Sequence, residues 1–164
     1  MKKAICLMAL LCLILSSRAQ FAIQPLAIGD SVPDMPFEYF SESRPAGNFA
    51  DLRDQFVIFD FWGPFCLPCV KALPLLDSLQ QEFTSLRIVL VCDDRRSVEK
   101  FYARKKEPMP WLDRLPGIVN DSTLKRLFSV KTVPTYVWVR KGVLWNITGS
   151  DALTADRIKA FITP

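Results

Sequence analysis

Histidine is absent from the 164 residues, and with it the side chain that most often completes a metal site. A zinc centre needs three or four ligands. Cys66 and Cys69 could offer half of one, and Cys92 is the one further cysteine outside the N-terminal segment. No metal and no cofactor is therefore expected. A long apolar run is missing too. Ala4 to Leu15 is unbroken, but it falls short of the roughly 20 residues a membrane-crossing helix requires. With Lys2 and Lys3 before it and Ser17-Arg18-Ala19 after it, it has the form of a signal peptide over residues 1–19, leaving Gln20 as the first mature residue. Cys12 is poorly placed for lipid attachment because apolar residues continue past it. A retained membrane tether is the alternative to a periplasmic or secreted protein.

Strong charge of either sign is also lacking. The formal +4 loses Lys2, Lys3 and Arg18 with that segment, so 21 basic residues become 18 against 17 acidic ones, about +1. Nothing there argues for nucleic acid or an anionic membrane as partner. Of the five cysteines, Cys6 and Cys12 leave as well. An odd remainder with two members in a C-x-x-C excludes a framework of stapling disulfides. Internal repeats and low-complexity tracts are absent, and an apolar content of 50% over this length suits one domain with a real core.

The stretch that organises the chain runs from Phe56 to Val70, F-V-I-F-D-F-W-G-P-F-C-L-P-C-V. Its first half reads as a strand apolar on both faces except at Asp60, the pattern of a covered strand in α/β folds. Gly63-Pro64 stops it. A helix follows from about Cys66 to Phe83, with Val70, Leu73, Leu76, Leu79 and Phe83 on one stripe. Pro74 sits inside it and should bend it. Around this unit the lead-in Phe21 to Asp34 is expected to carry one short edge strand, Phe37 to Phe40 another, and Ser41 to Ala50 a hairpin or loop. Leu86 to Cys92 reads as a second buried strand. Ser97 is the expected cap of a helix from Val98 to Lys105, ended by Pro108 and Pro110. A short strand or loop over Leu112 to Val119 precedes a short helix that Asp121 could cap. Strands over Thr135 to Arg140 and Val143 to Thr148, turned at Lys141-Gly142, lead to a last helix from about Thr154 to Ile162. Strands joined through helices, with one terminal antiparallel hairpin, make a mixed sheet covered on both faces.

Two thiols in the first turn of a helix lie beside unpaired backbone N–H groups. Thiols so placed have pKa values of roughly 3.5 to 7.5 against about 8.5 when free, so Cys66 is the expected nucleophile and Cys69, one turn deeper, the resolving thiol. A passive disulfide is the competing reading, although so short a loop constrains the unfolded chain little. Asp60 is costly to bury ionised and should have a raised pKa and a partner. It is either a proton acceptor acting through water or a structural carboxylate at a strand end. Pro134 at a strand start needs a positional reason, of which a cis peptide is one. Cys92 is either a small core residue or an exposed thiol.

These motifs resemble the thioredoxin superfamily, and within it the TlpA-like extracytoplasmic thiol–disulfide oxidoreductases. I-G-D-S-V-P-D (Ile28 to Asp34) resembles that branch's opening segment, Phe49 to Trp62 its first core strand, and C-L-P-C with Pro74 its active helix. T-V-P-T (Thr132 to Thr135) is similar to its cis-proline loop, and Gly149 to the glycine before its last helix. The resemblance implies a three-layer α/β/α thioredoxin-like domain over residues 20–164, with a mixed central sheet. It implies Cys66, Cys69 and Asp60 as catalytic residues and Trp62, Pro64, Phe65, Val133 and Pro134 around the substrate. It implies cysteine-containing client proteins as partners and a membrane thiol–disulfide electron donor that recycles the pair. The implied activity is reduction of disulfides in exported clients; oxidation of client dithiols and a non-enzymatic binding module are the alternatives. Phe65 and Leu67-Pro68 depart from the family's frequent tryptophan and glycine–proline at those positions, which leaves the redox poise open. Phe59 and Gly63 disfavour a peroxide-reducing relative.

Overall fold

The computed structural model describes residues 23–40, 46–104, 114–119 and 122–163. The segment expected to be a signal peptide, Pro108, Pro110 and Asp121 lie outside them. Seven strands form one sheet: β1 (Pro36–Tyr39), β2 (Ala46–Asn48), β3 (Phe56–Phe61), β4 (Leu86–Cys92), β5 (Gly117–Val119), β6 (Thr135–Arg140) and β7 (Val143–Thr148). Their spatial order is β2-β1-β5-β4-β3-β6-β7. β3, β4 and β5 are mutually parallel, and the remaining pairings are antiparallel. Among the described residues four α-helices accompany them: α1 (Leu67–Glu82), α2 (Arg95–Arg104), α3 (Ser122–Leu127) and α4 (Ala155–Ile162).

Strand alternation sorts the core into two layers. Ile58, Leu86, Ile88, Leu90, Tyr136 and Trp138 face one side with Leu73, Leu76 and Leu79 of α1, Val98 of α2, and Ile158 and Phe161 of α4. Val57, Phe59, Phe61, Val89, Val91 and Val137 face the other with Phe49, Leu52, Leu124 and Phe128. This is the three-layer α/β/α thioredoxin-like architecture. β3 is the central element, with Val57, Ile58, Phe59 and Phe61 at most 1% exposed and full-length neighbours on both sides.

Two expectations need correction. The lead-in forms no strand among its described residues; it makes an isolated bridge from Ser31 to Val143 and is held by hydrogen bonds such as Leu26 N–H to the Leu127 carbonyl and Gly29 N–H to the Leu144 carbonyl of β7, both 2.8 Å. α2 begins at Arg95, not Val98. Its cap is Asp94, whose carboxylate accepts the Ser97 N–H at 3.1 Å and the Ser97 hydroxyl at 2.5 Å, because a carboxylate three residues before Ser97 reaches the free donors of the first turn. β1 extends the far edge of the sheet by pairing with β5, and β2 pairs with β1 outside it.

The apolar stripe of α1 also conceals an acid. Asp77 is 5% exposed; it accepts Arg114 Nε at 2.8 Å and a second bond from the same guanidinium, with Gln81 donating to it at 2.9 Å. Hydrogen bonding from Arg114 holds its carboxyl below the usual carboxylate range. Arg114→Met leaves that carboxylate short of donors and is expected to destabilise the fold by about 2 kcal/mol, moderated because Arg114 is half exposed. The loss should be full at pH 7 and fade as pH falls through the folded pKa of Asp77, measured as the shift in urea midpoint.

Candidate active site

β3 leads straight into the site. Trp62 continues its ladder by donating its N–H to the Val91 carbonyl at 3.0 Å, and Cys66 N–H then returns to the Gly63 carbonyl at 3.0 Å. Cys66 is the N-cap of α1, extended at φ −85° and ψ 98°, and its sulfur accepts the Cys69 N–H at 3.3 Å. The Cys66 carbonyl receives Val70 N–H at 3.0 Å. Pro68 in the first turn costs the helix nothing, since the N–H it lacks has no intrahelical acceptor. The helix continues through Pro74 to Glu82.

Cys66 and Cys69 are joined as a disulfide with a Cα separation of 5.2 Å, inside the ordinary range of roughly 4.4–6.8 Å. The two sulfurs differ in access: Cys66 is half-buried, and Cys69 is fully buried. A sulfur that caps a helix meets a backbone N–H and the positive end of the helix dipole, both of which favour the thiolate once the bond is reduced.

Asp60 lies on the face of β3 that also carries Ile58 and Trp62, beneath the α1 side of the sheet. Its carboxyl is fully buried, and burial pushes its pKa from 3.8 up to about 8. The expected partner is not there: neither carboxyl oxygen has a hydrogen bond among the described residues. Register sets its neighbours as Leu90 on β4 and Tyr136 on β6. Tyr136, absent from the sequence-based candidates, is buried, and burial together with the Asp60 charge pushes its phenol above the usual range. Alternation along β6 places Tyr136 and Trp138 on one face, but the register that sets Tyr136 against Asp60 is a long-range pairing.

The remaining candidates divide by exposure. Trp62 is 5% exposed and packs its ring on Phe101 at 5.7 Å. Pro64 and Pro134 are half-buried, whereas Phe65 is 78% and Val133 36% exposed. The Val133–Pro134 bond is cis. Because Thr135 is opposite Phe61, this bond leaves the sheet at the level of Trp62 and Gly63, beside the loop that carries the pair. Cys92 is free and buried, and burial raises its pKa.

No family model matches the chain. The thiol–disulfide oxidoreductase ResA of Geobacillus thermodenitrificans is 28% identical over 141 residues, 82% of this chain and 75% of that protein. A crystal structure described as a putative thiol:disulfide interchange protein DsbE from Chlorobium tepidum superposes with a TM-score of 0.68 at 21% identity, covering 84% of this chain and 99% of that one. A secreted disulfide oxidoreductase of Mycobacterium tuberculosis gives a TM-score of 0.60 at 15% identity over 77% and 92% of the two chains. The structural likenesses share the thioredoxin fold.

Asp60 makes stability depend on pH. With its folded pKa raised to about 8, the folded chain keeps a proton that the unfolded chain loses near pH 4, so stability falls by about 1.4 kcal/mol per pH unit between those values and levels off above. Asp60→Asn should remove this slope. Urea unfolding at pH 5 and pH 8 is expected to show the variant gaining several kcal/mol on wild type across the interval. Equal slopes for the two proteins would contradict the assignment.

Proposed function

We propose that this thioredoxin-fold thiol–disulfide oxidoreductase works outside the cytoplasm as a reductase of client disulfides, in the manner of the TlpA-like branch it resembles. The observation that carries this reading is the asymmetry of the pair: one half-buried sulfur at a helix N-terminus and one fully buried sulfur a turn below, within bonding reach. Export is supported by the signal-peptide pattern over residues 1–19 and by similarity to a secreted oxidoreductase.

In this reading the Cys66 thiolate attacks one sulfur of a client disulfide. The client S–S bond breaks, a mixed disulfide forms, and the departing client thiolate takes up a proton. The Cys69 thiol then gives its proton, through water, to ionised Asp60 and attacks the Cys66 sulfur. The second client thiolate leaves and is protonated. The client gains two electrons and two protons, and the Cys66–Cys69 disulfide is restored. A membrane thiol–disulfide electron donor returns two electrons to it. The cis Val133–Pro134 segment and the rim of Pro64 and Phe65 hold the client chain during the exchange.

Equilibration of the pair in glutathione buffers tests the direction. A potential near about −270 mV is expected for a reductase, and one near about −120 mV would make the protein an oxidase. Cys69→Ser should accumulate the mixed disulfide with client. In wild type the resolution rate should rise through about pH 8 as Asp60 ionises, and Asp60→Asn should flatten that profile and slow the step by about 10- to 100-fold. Stopped-flow tryptophan fluorescence follows both.

A further inference from the structure

We infer that the exposed face of α2 docks an extended segment with acids at alternate positions, carried by a protein that exchanges electrons with Cys66. The inference deepens the reductase reading, on which it rests for what the docked protein gains. Charge is unevenly spread along the chain. Residues 95–106 hold six basic residues and one acid, a formal +5, whereas the remainder of residues 20–164 holds 12 basic and 16 acidic ones, a formal −4. Within α2, Arg96, Lys100 and Arg104 are four residues apart and share one face, and all three are exposed. None joins an ion pair among the described residues, whereas Arg95 is paired with Glu38 and Glu99, and Lys125 with Asp93. Such a stripe works against its own helix. Like charges four residues apart repel, and Arg96 stands in the first turn, where the helix dipole disfavours a cation. Asp94, the neighbouring acid, is taken up by the Ser97 N–H and hydroxyl. The core does not need the stripe either, because α2 packs through Val98, Phe101 and Tyr102.

Position ties this face to the site. β3 and β4 are parallel neighbours, so α1 and α2, which follow them, start from the same end of the sheet and cover the same side of it. Phe101, next to Lys100 in the chain, packs on the Trp62 ring, and Trp62 precedes Cys66 by one short turn. Spacing and sign fix the occupant. Successive cations of the stripe are about 6 Å apart along the helix axis. Alternate side chains of an extended chain are about 6.6 Å apart, so three acids at alternate positions meet the three cations in register. A larger polyanion, such as a nucleic-acid duplex or an anionic bilayer, would also face the negative remainder of the chain, which repels it. A bilayer further favours exposed apolar side chains beside the cations, and the large ones exposed among the described residues lie outside α2. Exposed charge pairs are individually weak; three together steer encounter more than they hold it.

Cystine peptides joined through one flexible glycine–serine linker to different tails test this against the pre-reduced protein in single turnover. The tails alternate serine with three glutamates, three glutamines or three lysines; a fourth holds its three glutamates contiguously. Each rate is divided by that peptide's rate with dithiothreitol, which removes intrinsic reactivity. At about 20 mM salt the alternating glutamate tail is expected to react about tenfold faster than glutamine, a difference of about 1.4 kcal/mol, and lysine more slowly than glutamine. The glutamate-to-glutamine ratio should fall to about twofold at about 300 mM salt, and contiguous glutamates should reach only about threefold. The triple variant Arg96→Gln, Lys100→Gln, Arg104→Gln keeps good helix formers. It should lose the preference while reducing the glutamine-tailed peptide as fast as wild type, which shows that it is folded. Arg96→Glu, Lys100→Glu, Arg104→Glu should reverse the ranking in favour of lysine. The alternating glutamate tail alone, without cysteine, should move the amide resonances of residues 95–104 in an NMR titration. Equal rates for glutamate and glutamine tails at low salt overturn the inference, as do equal rates for alternating and contiguous glutamates or a glutamine variant that keeps the preference. Vesicles of equal parts phosphatidylglycerol and phosphatidylcholine that hold wild type but not that variant, with α2 unmoved by the tail, would assign the face to lipid. Resonances of α2 that move with protein concentration alone would assign it to a second copy of this chain, and either result overturns the inference. If the tail binds α2 while no peptide is reduced, the docking face stands and the reductase reading falls.

Discussion

A strand buried on both faces has nowhere to place a side chain in water until it ends. β3 is such a strand, flanked along its length by β4 and β6 and covered by helices on one side and by the Phe49–Leu52 turn and α3 on the other. The chain must therefore leave the sheet at Trp62 and start a helix within a few residues. In the first turn of that helix the Cys69 N–H lacks an intrahelical acceptor, and the Cys66 sulfur satisfies it. Position and activation of the sulfur thus share one origin. Where a serine or aspartate oxygen commonly serves as N-cap, this helix uses a sulfur, and the field that stabilises a capping anion is directed at that sulfur.

The same region carries most of the features that work against stability. Asp60 is a carboxyl without hydrogen bonds in the core, Pro74 interrupts the helix ladder, and Phe65, Leu67 and Val133 leave apolar surface in water. Elsewhere local preference and global fold agree: the Lys141–Gly142 turn takes positive φ at both positions, as a two-residue hairpin requires, and Thr154 caps α4 through its hydroxyl. Local conflict confined to one end of one sheet is what a site imposes on an otherwise consistent chain.

That distribution also explains what could be read from the residues. β3, β4, β6, β7, α1 and α4 follow from apolar period and turn residues, and their observed ends lie within a residue of expectation. The start of α2 was misplaced because Asp94 and Ser97 are both good caps and local sequence does not rank them. The position of β1 beside β5 depends on pairing between segments about 80 residues apart, which no local pattern encodes. Asp60 was visible as an acid in an apolar strand; its lack of a partner was not, since that depends on Leu90 and Tyr136 meeting it from neighbouring strands. The exposure of Leu67 was equally hidden. A leucine in the first turn of an amphipathic helix reads as core until the direction of α1 over the sheet is known.

The third thiol shows how the fold keeps the chemistry to one pair. Cys92 ends β4 in the same apolar cluster as Cys69, so a reactive sulfur there could compete for the mixed disulfide. Exchange requires a thiolate. Burial raises the Cys92 pKa, and the charges of Asp93 and Asp94 raise it further. No helix N-terminus is directed at its sulfur, because Asp94 already occupies the free donors of α2. Cys66 and Cys92 both stand where a strand gives way to a helix, and they differ in whether the sulfur or a neighbouring carboxylate caps that helix. One capping atom thus separates a sulfur held in the field of a helix N-terminus from one that is not.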